Sequence, residues 1–318
     1  MDLLFVALGL IVLFVGGEAT LRGAVGLAQA LGVTPAVIGL TVVGFGTSAP
    51  ELVVTLNAAL QGTPDLAIGN VVGSNIANIL LILGIGGLIY PMTCHPRSAV
   101  RDGLAMLLSI GLLCVLGMMG SIVRWNGMVM LVLLVGFIVG SYMHDRRLCR
   151  LQDDDLVIDE PEAVPHNNWL IALFVIGGLV GLVGGAHILV IGATGLAREA
   201  GIPESVIGLT LVAIGTSLPE LAATMIAAIR KHTELAIANA MGSCVFNVLA
   251  ILGISSMVTP LPIAEDIRNV DLWVMLATSL LFVPLLWWDR RISRLEGGAM
   301  LALYCIYIGS MGPRVPGF

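Results

Sequence analysis

GLTVVGFGTSAPEL at residues 39–52 and GLTLVAIGTSLPEL at residues 208–221 are one pattern written twice, 169 positions apart. Each lies in a long apolar run, where a glutamate, two hydroxyls and a proline are out of place. The match extends with no gap from Gly39–Gly84 to Gly208–Gly253, so that LAIGNVVGSNIANILLILG at 66–84 lies on LAIANAMGSCVFNVLAILG at 235–253. A shared leucine-rich bias does not explain matches at Thr, Ser, Pro, Glu and Asn. The pattern reads as an internal duplication.

The surroundings fix the environment. Of 318 residues, 58% are hydrophobic and 11% charged, with a mean hydropathy of +1.00. That is too little charge to cover a soluble chain. Apolar stretches of the roughly 20 residues needed to cross a bilayer recur from end to end. They do not alternate as transmembrane strands would. The expected class is an all-α integral membrane protein of about ten transmembrane helices, near 3–30, 35–60, 65–90, 102–121, 125–144, 168–197, 204–229, 234–259, 270–288 and 297–312. The first stretch lacks a basic leader and is too long for a signal peptide, so it reads as a permanent span.

A polar segment divides these spans five and five. The organisation expected is a first five-helix repeat over 1–144, a short acidic cytoplasmic loop over 145–167 and a second five-helix repeat over 168–318. An odd number of spans per copy sends the second copy through the membrane in the opposite sense, giving inverted repeats. With an extracytoplasmic N-terminus, Arg97, Arg101, Arg146, Arg147, Arg150, Arg230, Lys231, Arg290, Arg291 and Arg294 face the cytoplasm. Only Arg124, Arg198, Arg268 and Arg314 fall outside, and Arg22 sits near the inner end of the first span, as the positive-inside rule asks. The net charge of −6 owes much to the loop DDDLVIDEPE at 153–162, so it gives no sign of a nucleic-acid partner. The five cysteines, Cys94, Cys114, Cys149, Cys244 and Cys305, are scattered and read as packing residues.

The polar residues carry the chemistry. Pro50 and Pro219 stand inside spans two and seven and free the carbonyls of Gly46 and Gly215, one turn earlier. Lipid tolerates such backbone only where it is buried in protein or lines a cavity. Gly44, Gly46, Ala213 and Gly215 are small enough to let another helix or an ion approach. Thr47, Glu51 and Thr55 are spaced i, i+4, i+8 and form one stripe; Thr216, Glu220 and Thr224 repeat it. Asn70, Ser74 and Asn78 form a stripe on the next span, matched by Asn239, Ser243 and Asn247. A carboxylate at the bilayer centre costs about 2.5–3.5 kcal/mol even on a lenient scale. All-oxygen donors suit hard cations, Ca²⁺ or a pair of Na⁺ above all. Two close carboxylates with no cation or proton between them repel, so the facing should change when the site is loaded, and loading in both directions is exchange.

The paired G-T-S-x-P-E segments, each followed by G-S-N/C-x-x-N, resemble the two alpha repeats (39–84 and 208–253) of the sodium/calcium exchanger family of cation/calcium antiporters. That resemblance implies ten helices, five plus five inverted, with Ca²⁺ and Na⁺ as transported substrates and no cofactor. It implies Glu51 and Glu220 as central ligands, with Thr47, Ser48, Ser74, Thr216, Ser217 and Ser243 adding oxygens. Asn78 and Asn247 would stand beside them, and the carbonyls of Gly44 and Ala213 would complete the outer sites. Spans one and six would slide across this core. Many members carry an aspartate at one of the positions held here by Asn78 and Asn247. A proton/Ca²⁺ antiporter, or a K⁺-dependent Na⁺/Ca²⁺ antiporter of the same superfamily, uses the same carboxylates. A channel fits an inverted repeat poorly. An enzyme is not expected, because neither G-x-S-x-G nor H-E-x-x-H occurs. Glu18 and His187, also 169 apart, read equally as a proton-linked or gating pair and as polar groups bonded within the bundle.

Overall fold

The structure, a computed structural model, describes residues 1–151, 165, 167–201, 213–288 and 291–311. The acidic run 153–162, residues 204–212 of the seventh expected span, Arg290 and Arg314 lie outside them.

Helix α1 (Asp2–Leu31) ends on Gly32, whose φ of 65° turns the chain out of the helix. The helix α2 (Pro35–Thr47) opens on a proline, where no backbone donor is needed, and α3 (Ala49–Leu60) follows it at a 45° bend. The long α4 (Pro64–Ile89) again opens on proline and contains a π-turn at Asn78–Ile82. Short strand β1 (Met92–Thr93), α5 (Pro96–Met118), β2 (Ser121–Ile122) and α6 (Arg124–Leu151) complete the first half. In the second half, α7 (Asn168–Glu199) is capped by the Asn167 side chain, which accepts the Trp169 N–H at 3.0 Å. Then come α8 (Ala213–Thr216), α9 (Leu218–Ile229), α10 (Thr233–Val258), β3 (Leu261–Pro262), α11 (Ile267–Trp288), β4 (Arg291–Ile292) and α12 (Arg294–Met311). Helix α10 has its own π-turn at Asn247–Leu252.

The fold is thus mostly helical, with four two-residue strands that an all-α expectation leaves out. Among the described residues seven helices are long and apolar enough to cross a bilayer, or eight if α2 and α3 form one bent span. Helices α4 and α10 make the centre; every residue in the most apolar stretch of α10 is buried, whereas α1, α6 and α7 leave most of theirs half-buried or exposed. Exposed Leu4, Ile11, Phe14, Val132, Leu133, Leu173 and Ile176 make that outer surface apolar, as lipid requires.

Small residues draw the helices together. Helix α1 packs along α7 on a seam of glycines: a Cβ on Gly16 would stand 2.7 Å from Leu182 N, and one on Gly178 2.5 Å from Thr20 N. Helix α4 ends against α12, α10 ends against α6, and α5 packs on α11. Strand β1 pairs antiparallel with β4 at the Pro96 end of α5, and β2 pairs with β3 at its Met118 end.

The two hexapeptides behave differently from the kinked spans expected. The helix does not bend around an internal proline; it stops and restarts. Ser48 (φ −81°, ψ 6°) and Ser217 (φ −88°, ψ 4°) interrupt it, and Pro50 and Pro219 then sit in the first turns of α3 and α9. Thr47 and Glu51 therefore fall on either side of a break instead of on one continuous stripe.

Candidate cation site

The two breaks face each other at the centre, and their side chains cross. Ser48 donates its hydroxyl to Glu220 Oε1 at 3.0 Å, and Ser217 donates to Glu51 Oε1 at 3.1 Å. Thr216 lies beside Glu51 and Thr47 beside Glu220, in the same crossed sense. Glu51, Glu220, Thr47, Ser48 and Ser217 are all at most 7% exposed. The second oxygen of each glutamate is buried without a hydrogen-bond partner among the described residues. Leaving a buried charged acceptor unmatched costs more than the ~1–3 kcal/mol of a neutral one.

The neighbouring helices supply further oxygens. Asn70 Nδ2 donates to Thr55 Oγ1 at 3.0 Å, and Asn239 Nδ2 repeats this with Thr224 Oγ1 at 3.2 Å. Ser74, Ser243, Asn78 and Asn247 are buried, and the Asn247 carbonyl oxygen has no partner among the described residues. The Gly44 carbonyl is not left free: it accepts the Ser48 N–H at 3.2 Å and the Ser243 hydroxyl at 3.4 Å. Ala213 opens α8, and its side chain lies outside the described residues. Gly46 and Gly215 make room for a helix, since a Cβ on either would run into Leu179 or Val190 of α7.

One residue escaped the sequence reading. Asn75 is wholly buried, gives its amide N–H to the Cys244 carbonyl at 3.4 Å and takes the Asn247 amide on Oδ1 at 3.0 Å. Cys244 returns its thiol to the Asn75 carbonyl at 3.8 Å. The signal was present as the single polar mismatch between GSN and GSC. Glu18 does not meet His187, which stands exposed about two turns away along the α1–α7 seam. It accepts from Arg22 at 2.7 Å and from Arg230, at the end of α9, at 2.9 Å.

A bundle of lipid-facing helices around a buried carboxylate pair is a build that suits a membrane ion transporter. A family profile described as sodium/calcium exchanger protein matches residues 1–143 and 170–311. The chain is 31% identical to the sodium/calcium exchanger MaX1 of Methanosarcina acetivorans, over 96% of its own length and 97% of that protein. It is 35% identical to the putative antiporter CaxA of Alkalimonas amylolytica, with 96% of each chain covered. A solved structure of the sodium-calcium exchanger NCX_Mj superposes with a TM-score of 0.84 at 31% identity, covering 98% of each chain. The chain belongs to the sodium/calcium exchanger family, and its fold and relatives are those of multi-pass cation/Ca²⁺ antiporters.

Proposed function

We propose that the chain exchanges Na⁺ for Ca²⁺ across the cell membrane by alternating access, with Glu51 and Glu220 as the shared ligands. The reading rests on one observation: the crossed bonds Ser48–Glu220 and Ser217–Glu51 hold two buried carboxylates together, each with an oxygen still unmatched. A divalent cation, or two monovalent ones, cancels both charges and satisfies those oxygens, and an all-oxygen shell of six to eight donors is what Ca²⁺ takes. Ser74, Ser243, Thr47, Thr216, Asn78 and Asn247 supply the remainder, with the Gly44 and Ala213 carbonyls at the outer positions. The cost of uncovering the glutamates without an ion makes the loaded protein the one that changes its facing.

The site is built by ten spans in two copies of opposite orientation, 1–144 and 168–318, with the N-terminus outside and the 145–167 loop in the cytoplasm. Equivalent strands β1 and β3, related by the 169-residue shift, close opposite ends of α5, as copies of opposite sense require.

The test is uptake of radioactive Ca²⁺ into proteoliposomes driven by an outward Na⁺ gradient. Wild-type uptake should require internal Na⁺, and Glu51→Gln and Glu220→Gln should each lower it by about a hundredfold, the equivalent of ~3 kcal/mol. Uptake that follows a pH gradient and ignores Na⁺ would make the protein a proton/Ca²⁺ antiporter. Uptake indifferent to both substitutions would remove the glutamates from the site.

A further inference from the structure

The two central helices differ at one polar position beside the cation site. Asn75 of α4 and Cys244 of α10 are equivalent under the 169-residue shift, and each stands three residues before one of the site's amides, Asn78 and Asn247. They meet across the centre. Asn75 Nδ2 donates to the Cys244 carbonyl at 3.4 Å and lies 3.6 Å from Met275 Sδ of α11, while the Cys244 thiol donates to the Asn75 carbonyl at 3.8 Å.

These bonds set the direction of a further amide. A backbone carbonyl only accepts, so Asn75 turns its NH₂ toward Cys244 and leaves its Oδ1 on the other side. An amide oxygen also only accepts. The Asn247 side chain that faces it therefore presents its NH₂, at 3.0 Å, and its own Oδ1 turns away from Asn75. That oxygen is buried and has no partner among the described residues. It lies one turn from Ser243, whose hydroxyl reaches the Gly44 carbonyl at 3.4 Å. A buried oxygen held in place and left unmatched suits a hard cation.

The first copy lacks this hold. A thiol has one proton, and Cys244 spends it on the Asn75 carbonyl, so Asn78 finds only a weak sulfur acceptor beside it. Neither side-chain atom of Asn78 makes a hydrogen bond of ordinary length among the described residues. Its amide is free to turn either end to an ion, and the NH₂ end repels one.

We propose that Asn75 is a positioning residue for cation binding: it holds the Asn247 amide with the oxygen toward the ion and makes Asn247 a stronger ligand than Asn78. This rests on the exchange site proposed above.

The half-saturating Ca²⁺ concentration for uptake into proteoliposomes tests it in Asn75→Ser. Serine can still bond the Cys244 carbonyl, but it is too short to reach Asn247. The concentration should rise about tenfold, the lower end of what a ligand's holding partner is worth in affinity. A merely structural role would lower the maximal rate and Tm and leave that concentration in place. A carboxylate has oxygen at both ends and needs no turning, so with Asn247→Asp present the serine substitution should shift the value by about twofold or less. Asn75→Asp keeps an acceptor for Asn247 and should also stay within about twofold of wild type, which decides the matter if the serine variant folds poorly. Equal rises from Asn75→Ser in both backgrounds overturn the assignment, as does a rise of about tenfold in Asn75→Asp. Uptake abolished by Glu51→Gln and Glu220→Gln but indifferent to Asn75→Ser removes this assignment alone. Uptake indifferent to the glutamate variants removes the exchange site with it.

Discussion

Helices α4 and α10 grew from one sequence pattern, yet they live in different surroundings. In the most apolar stretch of α10 every residue is buried, whereas 72% are buried in that of α4. Helix α10 touches α2, α5, α6 and α9, while α4 is bordered by the outer helices α11 and α12. The equivalent glycines make the difference concrete. A Cβ on Gly242 would collide with the Leu40 carbonyl, and one on Gly73 meets nothing within 4 Å. The polar side chains around the two breaks do not share this asymmetry. Asn70 and Asn239 bond the equivalent threonines, and Ser48 and Ser217 bond the opposite glutamates. Chemistry holds the two copies alike where packing lets them part.

That contrast can be broken at several points. Gly242→Ala should destabilise the protein by about 1–3 kcal/mol, as overpacking against backbone does. Gly73→Ala should be neutral or slightly stabilising, since alanine exceeds glycine in helix propensity by about 1 kcal/mol. Thermal unfolding in detergent reads both, and equal Tm shifts would erase the asymmetry. Ser48→Ala and Ser217→Ala each remove the donor to a buried carboxylate. Bonds to charged groups contribute about 1.5–3 kcal/mol, so each should weaken Ca²⁺-dependent uptake about tenfold, and by similar amounts. A large effect from only one would mean that the copies are unequal in chemistry too. The smallest effect belongs to Asn70→Ala and Asn239→Ala, at about 1 kcal/mol of stability apiece. The wholly buried Asn239 should show the larger Tm shift of the two.

Much of this was legible because the sequence pays twice for polar residues in apolar runs. The meeting of the two carboxylates and the exchanger family both follow from Glu51, Glu220 and their neighbours. The manner of the break was not legible. A proline four residues past a glycine can kink a helix or begin a new one, and the φ and ψ of Ser48 decide which. Gly46 and Gly215 announced a close approach without saying by what, and α7 supplies the answer from a distant part of the chain. Glu18 was visible as an ionisable group, but Arg230 lies 212 residues further on. Asn75 was hidden because spacing gives the face of a helix and not the direction of an amide. Strands of two residues carry no periodicity to read.

The crossed serine–glutamate bonds have a consequence for how such a chain can change over generations. Each hydroxyl serves the other copy's carboxylate, so neither half owns a complete set of partners. A substitution in one hexapeptide therefore changes the bonding of the other's carboxylate. Further from the site the halves differ: His187 and Ile191 of α7 stand where α1 has the bonded pair Glu18 and Arg22. A half-length chain paired with a second copy about a two-fold axis would already hold both bonds.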